Sequence, residues 1–122
     1  MNNKIKICRI APLIEEEIDF LVNNQEVTGF NASPQELEVS KEYEAEIDIF
    51  VNDVLTIEKQ ENRNLKKIER IDNYSYVLFG KMLKDNVLDA GFFITSDLFD
   101  DYRYLEGEYV FLQVDRLQLS FE

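Results

Sequence analysis

Histidine is absent from this sequence, and cysteine occurs once, as Cys8. Without histidine the chain lacks the side chain most often used for acid–base catalysis at neutral pH and a common metal ligand. A single cysteine cannot form an intramolecular disulfide, which fits a reducing compartment. Because no histidine is present to activate its thiol, Cys8 is predicted to be a small buried hydrophobic residue in a strand.

The motifs of the common enzyme classes are also missing. The chain has no glycine-rich phosphate loop, no CxxC pair and no GxSxG nucleophile motif. Asp97, Asp100 and Asp101 lie close together in the sequence, but their spacing does not match the alternating oxygen ligands and central glycine of a calcium loop. The sequence therefore predicts a protein that is not an enzyme and that binds neither a metal ion nor a cofactor.

Long hydrophobic runs are lacking too. The longest uncharged apolar stretches, such as 91–94 and 109–112, are far shorter than the roughly 20 residues of a membrane-spanning helix. The first residues contain neither the apolar core nor the small-residue cleavage site of a signal peptide. With 122 residues, 45% of them hydrophobic, the chain is long enough to build one core. We therefore expect one cytoplasmic domain, spanning residues 1–122.

Acidic residues are the most prominent feature of the composition. The 25 acidic residues outnumber the 13 basic ones, which gives a net charge of -12. Residues 11–48 hold eleven acids and one base, and residues 85–122 hold nine acids and two bases. Residues 59–84 differ, with seven bases and three acids. The chain as a whole therefore repels phosphate backbones, although its centre is mildly basic.

Alternation of apolar and polar residues predicts a protein rich in β-strands. From Glu42 to Val51 the odd positions are apolar and the even ones are acidic up to Asp48, the pattern of a strand with one buried face. A shorter alternation opens the chain at residues 4–10, and residues 74–95 are typical of a hairpin. The last strand, over 109–121, changes phase at Asp115 and Arg116, which indicates a bulge or a barrel corner.

Three segments involve helices. Residues 13–22 fit a helical stripe slightly better than the alternative, a strand over 18–22 that turns at Asn23 and Asn24 into a partner strand. Residues 64–71 permit a short helix with a basic outer face, although alternation is also possible. Ser96 is a suitable N-cap for a short helix over 97–102, and Gly107 is a suitable stop.

These elements predict a mainly β, or β-rich α+β, fold with five to six strands and one or two short helices. A small antiparallel OB-like barrel or a twisted sheet accommodates them. The chain resembles small bacterial OB-like β-barrel proteins in its strand order over residues 41–119, and this resemblance implies a fold rather than an activity. The runs that carry the resemblance are KEYEAEI at 41–47, YVLFGK at 76–81, LDAGF at 88–92, LEGEYV at 105–110 and VDRL at 114–117.

Acidic residues provide the candidate binding surface. Four carboxylates at alternate strand positions repel one another, so their negative electrostatic field favours a role in binding a basic partner. The other interpretation is that they form only the solvated side of the strand. A second acidic run lies near residue 16, where the macrodipole of a helix start is an equally good explanation. The residues predicted to contact a partner are Glu42, Glu44, Glu46, Asp48, Glu15, Glu16, Glu17, Asp97, Asp100 and Asp101.

Size, charge and the absence of catalytic motifs predict a non-catalytic binding protein. The preferred hypothesis is a small acidic immunity or inhibitor protein that neutralises a basic target, such as a nuclease toxin or a nucleic-acid-handling effector. A structural subunit that forms homodimers through an exposed strand edge is a further possibility.

The main alternative is an OB-like nucleic-acid-binding or assembly module that uses the basic and aromatic stretch 59–84. Its candidate residues are Lys59, Arg63, Lys66, Lys67, Arg70, Tyr74, Tyr76, Lys81 and Lys84.

Overall fold

The computed structural model describes residues 1–14, 16–33 and 35–121, and within them eleven strands form one continuous sheet. One short helix, a 3-10 helix over Asp97–Leu105, completes the described elements. The strands are β1 (Asn3–Ile10), β2 (Glu17–Val22), β3 (Gln25–Asn31), β4 (Glu42–Phe50), β5 (Ile57–Lys59), β6 (Lys67–Arg70), β7 (Tyr76–Met82), β8 (Val87–Asp89), β9 (Phe93–Thr95), β10 (Tyr109–Val114) and β11 (Arg116–Phe121).

Five of these strands close a barrel. Neighbouring strands follow the order β1, β2, β3, β11 and β4, and β1 pairs with β4 to close the ring. All of these pairings are antiparallel except that of β3 with β11, which is parallel. The inward positions carry large apolar side chains such as Ile7, Phe20, Ile47 and Leu119, each with no exposed surface. The mainly β fold is thus confirmed, and it is consistent with a small OB-like barrel.

The remaining strands extend this sheet beyond the barrel. β9 pairs with β4, and the order continues through β8, β7 and β10 to β5, while β6 pairs with residues 76–79 of β7, next to β8, which pairs with residues 81 and 82. We call the four neighbouring strands β5, β10, β7 and β6 the outer sheet. Residues 76–81, 88–92 and 105–110, which carried the resemblance to OB-like barrels, lie outside the barrel itself. The barrel is built instead from β1 to β4 and β11.

The helix favoured over 13–22 is wrong, and the competing hairpin is confirmed. β2 and β3 pair antiparallel, with Asn23 and Asn24 at φ of 50° and 62° in the turn between them. Asparagine tolerates positive φ at both central positions of a two-residue hairpin turn, and such turns match the twist of the flanking strands. Partners on both sides of β2 then favour the extended form over the helical one.

The short helix over 64–71 is also wrong, because its central residues form β6 along the edge of β7. Leu65, Ile68 and Ile71 have helical spacing, yet only Ile68 is buried, and Ile71 is 49% exposed. The hairpin over 74–95 is confirmed from β7 to β8, with a turn at Asp85 and Asn86. A second turn at Gly91, with φ of 94°, divides its returning strand into β8 and β9.

Gly80 allows close approach of two backbones rather than a bulge. A Cβ atom at this position would lie 2.3 Å from the carbonyl oxygen of Asp89 on the neighbouring strand. The phase change at Asp115 is a barrel corner, since β10 belongs to the outer sheet and β11 to the barrel. Ser96 caps the 3-10 helix by accepting a hydrogen bond from the Leu98 amide, as predicted. Gly107 follows the helix with φ of 86°.

Cys8 is exposed, which contradicts the prediction that it is buried. Cys8 lies on the same face of β1 as the exposed Lys4 and Lys6, opposite the buried Ile5 and Ile7. The pairing of β1 with β2 shifts register between Ile7 and Arg9, which places a bulge at Cys8. No described helix is long and apolar enough to span a membrane.

Candidate partner-binding surfaces

The even positions of β4 form an acidic wall on the outside of the barrel. We use the name acidic wall for Glu42, Glu44, Glu46 and Asp48. The first three side chains are exposed, and each lies two residues from the next on one face of the strand. β1 and β11 pair with β4 on its two sides, so the strand that carries the wall is held in place by backbone hydrogen bonds. The structure therefore keeps these predicted residues together on an accessible face.

Weak ion pairs border the wall on the β1 side. The Lys4 ammonium lies 3.8 Å from a Glu42 carboxylate oxygen, and the Met1 amino group lies 3.5 Å from Glu46. In both pairs the side chains are about half exposed or more, so the pairs are strongly solvated and contribute little to stability. Their geometry leaves the carboxylates accessible for exchange with a cation of a partner protein.

Asp48 and Asp97 extend the wall towards the 3-10 helix. Asp48 is half-buried, and desolvation raises its pKa, while the hydrogen bond from the Ile49 amide, 2.7 Å long, works in the opposite direction. The negative charges of Asp97 and Glu46 add to the rise. Ile47 of β4 pairs with Ile94 of β9, and this pairing brings the start of the helix, with Asp97, next to Asp48 and Glu46. Two of the acidic groups predicted from separate parts of the sequence therefore belong to one surface.

The other predicted acids of the helix are dispersed. Asp100 accepts hydrogen bonds from Asn86 at 2.6 Å and from Arg103 at 3.0 Å, and these bonds lower its pKa. Asp101 is exposed. Among the described residues, no group of three or more acidic or cysteine side chains is arranged to hold a metal ion.

The acidic run near residue 16 divides. Glu16 is exposed at φ of 70°, and Glu15 lies outside the described residues. Glu17 is only 6% exposed and does not belong to an open acidic surface. Its carboxylate accepts a hydrogen bond of 2.6 Å from Arg9 and another of 2.6 Å from the Tyr74 hydroxyl. Glu17 is therefore part of an internal polar network.

This network lines a cleft of about 450 Å³ where the barrel meets the loop between β6 and β7. Arg9 also donates to Asp19 at 2.7 Å, and Asp19 accepts a further bond of 2.6 Å from the Thr28 hydroxyl. Arg70 donates to the Thr28 hydroxyl oxygen at 3.0 Å. We call Arg9, Glu17, Asp19, Thr28, Arg70 and Tyr74 the cleft network. It links three barrel strands to the outer sheet.

The pKa values in the cleft network follow these contacts. Burial alone would raise the pKa of Asp19, but the hydrogen bonds from Arg9 and Thr28, together with the charge of Arg9, outweigh it and lower the pKa. The hydrogen bond to Glu17 raises the pKa of Tyr74 and keeps its hydroxyl protonated. The hydrogen bonds from Arg9 to Asp19 and Glu17 raise the pKa of Arg9. Both carboxylates are thus matched to donors within the chain.

The basic and aromatic residues of 59–84 occupy several different places. Tyr76 lies in the core, where its hydroxyl oxygen accepts a hydrogen bond of 2.9 Å from the Thr28 amide, and Tyr74 lies in the cleft. Lys66 pairs with Asp89 at 2.7 Å. Lys84 and Arg63 are exposed. Lys59, Lys67 and Lys81 lie on strands β5, β6 and β7 of the outer sheet, and Arg70 belongs to the cleft network. The structure does not gather this set into one groove, and nucleic-acid binding stays a prediction.

A family model described as "Uncharacterised conserved protein UCP019853" matches the chain over residues 1–122. The chain belongs to this family. No curated protein matches it, and no solved structure does.

Sequence reasoning missed two features that the structure supplies. Arg9, Asp19 and Thr28 belong to the cleft network, although only its other members, Glu17, Arg70 and Tyr74, were candidates. Phe111 joins Phe79 on the open face of the outer sheet, where the two rings stack. The alternation of β10 placed Phe111 opposite the core phase of Val110 and Leu112, which is the one signal that identifies it as a surface residue.

Proposed function

We propose that this protein is a non-catalytic binding protein of the bacterial cytoplasm, an immunity or inhibitor protein that neutralises a basic protein target. The observation that carries the proposal is the acidic wall. Three exposed carboxylates and one half-buried one stand in line on a barrel strand that has partners on both sides. A surface of this kind needs no chemistry of its own to block another protein.

The rigidity of the wall favours tight association. Binding costs free energy when side chains and loops must be ordered, and this cost is smaller for groups mounted on a paired strand. The backbone of β4 is already fixed by β1 and β11, so only the outer bonds of each glutamate remain to be ordered. A preorganised row of carboxylates is therefore better suited to docking than the same charges on a loop.

The spacing of the wall supports a target that handles nucleic acid. Alternate residues of a strand lie about 6.6 Å apart, so the wall presents evenly spaced negative charges along a line. A groove that binds a nucleic-acid strand is lined with Lys and Arg to match evenly spaced phosphates. Such a groove on a nuclease toxin or nucleic-acid-handling effector offers the cations that the wall can pair with.

The net charge assists the encounter. A protein of charge -12 attracts a basic partner over distances comparable with the Debye length, about 8 Å at physiological salt, and this attraction raises the association rate. Close pairing at the wall then determines the orientation. The cleft network contributes to neither step, because its two carboxylates, the buried one of Glu17 and the partly exposed one of Asp19, already pair with Arg9.

Capture from the native host at low salt tests the proposal. The immobilised protein, the wall variant Glu42→Lys/Glu44→Lys/Glu46→Lys and a control variant Glu36→Lys/Glu61→Lys/Glu106→Lys are compared side by side. Both variants change the net charge by the same amount, but the control reverses exposed acids outside the wall.

We expect one basic protein to be retained by the parent and by the control, and lost from the wall variant. Purified target should then lose its activity when the parent protein is added and keep it when the wall variant is added. Equal retention by the wall variant and the parent contradicts the proposal. Equal loss from both variants also contradicts it, because overall charge rather than the wall would then be responsible.

A further inference from the structure

Two aromatic rings lie side by side on the solvent face of the outer sheet. The centroids of Phe79 on β7 and Phe111 on β10 are 6.0 Å apart, and their planes make an angle of 27°. Two adjoining cavities, of about 860 and 420 Å³, share Phe79, Phe111 and Glu58 in their linings and form one open trough across the sheet. Tyr104, which is 75% exposed, lines one end of this trough.

An aromatic pair is unusual on such a face. The opposite face of the same strands is already buried, as Leu78, Val110 and Leu112 show with at most 1% exposure. The solvent face of a one-sided antiparallel sheet is normally polar. Exposed apolar patches with a polar rim mark interaction surfaces, and aromatic residues dominate the centres of such surfaces. Phe79 and Phe111 are partly exposed at the centre of the trough and have charged residues around them, so the trough has the features of such a surface.

The register of the outer sheet places four residues in one row across it. Glu58 on β5 lies opposite Phe111, Phe111 lies opposite Phe79, and Phe79 lies opposite Lys67 on β6. The row therefore runs from an acid through two aromatic rings to a base. The ammonium of Lys67 lies 5.2 Å from the ring centroid of Phe79, and it also pairs with Glu69 at 2.8 Å.

A row of this kind is complementary to itself. When a second copy is placed face to face about a two-fold axis that runs along the strands, between Phe79 and Phe111, each end of the row meets the opposite end of the other row. Glu58 of each copy then faces Lys67 of the other, and Phe79 of each copy faces Phe111 of the other. An isologous interface requires this reciprocity of contacts. A two-fold axis across the strands would instead bring Glu58 against Glu58.

Charge balance also favours a second copy of the chain at this surface. Two chains of net charge -12 repel each other wherever acidic faces meet. In the lining of the trough, however, two bases accompany two acids and the charges cancel. The bases are Lys59 and Arg63, and the acids are Glu58 and Glu61. The same balance is unsuitable for a polyanion such as single-stranded nucleic acid, which needs a positive groove.

We propose that the trough is a homodimer interface in which the outer sheets of two chains pack face to face, with Glu58 paired to Lys67 of the second copy. Four strands about 4.8 Å apart and three to seven residues long give a face of roughly 20 Å by 17 Å, or about 340 Å², which is small beside the ~800 Å² per partner of a standard interface. We therefore expect a weak dimer with a dissociation constant in the micromolar range. The dimer leaves the acidic wall free, so the inference is independent of the proposed function.

Sedimentation velocity over a range of protein concentrations, combined with a charge swap, tests this interface. The parent protein should shift from monomer to dimer as its concentration rises. Glu58→Lys places two lysines opposite each other, and Lys67→Glu places two glutamates opposite each other. Each single variant should weaken dimerisation at least about ten-fold, because like charges at an interface repel. The double variant Glu58→Lys/Lys67→Glu should restore it.

The control is Glu44→Lys, which reverses an exposed acid of the wall and should leave the dimer unchanged. Three results overturn the proposal. They are a parent that stays monomeric up to millimolar concentration, single variants that dimerise like the parent, and a double variant that fails to recover despite an unchanged melting temperature. A labelled single-stranded oligonucleotide is added in parallel. Binding to a monomeric parent that Phe111→Ala abolishes would assign the trough to nucleic acid instead.

Discussion

The acidic wall and the cleft network use the same type of side chain in opposite ways. In the cleft, Arg9 lies within 2.7 Å of both Glu17 and Asp19, and hydroxyl groups of the chain satisfy further carboxylate oxygens. On the wall, the nearest cations are 3.5 Å or more from solvated carboxylates. A carboxylate enclosed by matched donors stabilises the fold, whereas one left in solvent is available to a partner. The two sets of carboxylates therefore differ in whether a cation of the same chain is bound closely to them, not in residue type.

Removing Glu17 should produce the largest change in stability. Glu17→Ala leaves Arg9 with one carboxylate partner and leaves the Tyr74 hydroxyl without its acceptor. Hydrogen bonds to charged groups contribute about 1.5–3 kcal/mol each, and the half-exposed guanidinium of Arg9 recovers part of this from water. We expect a loss of about 2–3 kcal/mol in the free energy of unfolding, measured by urea denaturation. A loss no greater than that of Glu44→Ala would remove the distinction between cleft and wall.

Asp19 and Asp48 should respond to amidation with opposite signs. The pKa of Asp19 is lowered in the folded state, so its ionised form stabilises the fold above its ordinary pKa, near 4, and this contribution disappears as the pH falls through the folded pKa. The pKa of Asp48 is raised, so its ionised form costs stability at neutral pH, and that cost disappears as the pH falls through its folded pKa.

At pH 7, Asp19→Asn should therefore lose on the order of 1–2 kcal/mol, while Asp48→Asn should gain up to about 1 kcal/mol. At pH 4 the gain in Asp48→Asn should have shrunk by a larger fraction than the loss in Asp19→Asn, because the pKa of Asp48 is raised in the folded state and that of Asp19 is lowered. Urea denaturation of both variants at the two pH values measures these differences. A shared sign at pH 7 would contradict the assignment of Asp48 to the wall.

Glu44→Ala should have the smallest effect on stability. Its side chain is exposed, and surface substitutions of this kind change the free energy of unfolding by no more than about 0.5 kcal/mol. Thermal unfolding followed by circular dichroism measures the change. A loss comparable to that of Glu17→Ala would mean that the wall has a structural role, and it would weaken the case for a docking surface.

Local patterns account for the parts of the fold that could be predicted. The alternation of acidic and apolar residues in β4 is uninterrupted over the eight residues from Glu42 to Ile49. The Asn23–Asn24 and Asp85–Asn86 turns carry residues that accept positive φ. Residues 64–71 were ambiguous because Leu65, Ile68 and Ile71 fit a helix, and only the pairing with β7 decides for a strand. The closure of the barrel by β1 and β4 likewise depends on contacts between distant segments.

The binding surfaces, too, could be predicted only where they follow from one segment of the chain. The wall follows from one strand and could be identified from its period of two. The cleft network joins Glu17 to Tyr74, which are 57 positions apart, and no local pattern connects them. The row from Glu58 to Lys67 requires the register of four strands at once. Buried ion pairs and cross-sheet rows are therefore products of the tertiary structure.

The association rate with the captured target, measured by stopped-flow mixing at several salt concentrations, tests the central claim most directly. For the parent protein we expect a fast rate that falls steeply with salt, as electrostatic steering requires. The Glu42→Lys/Glu44→Lys/Glu46→Lys variant should associate at least about ten-fold more slowly at low salt and with a weaker salt dependence than the equally charged control variant. Equal rates for the two variants would show that the acidic wall is not the docking surface.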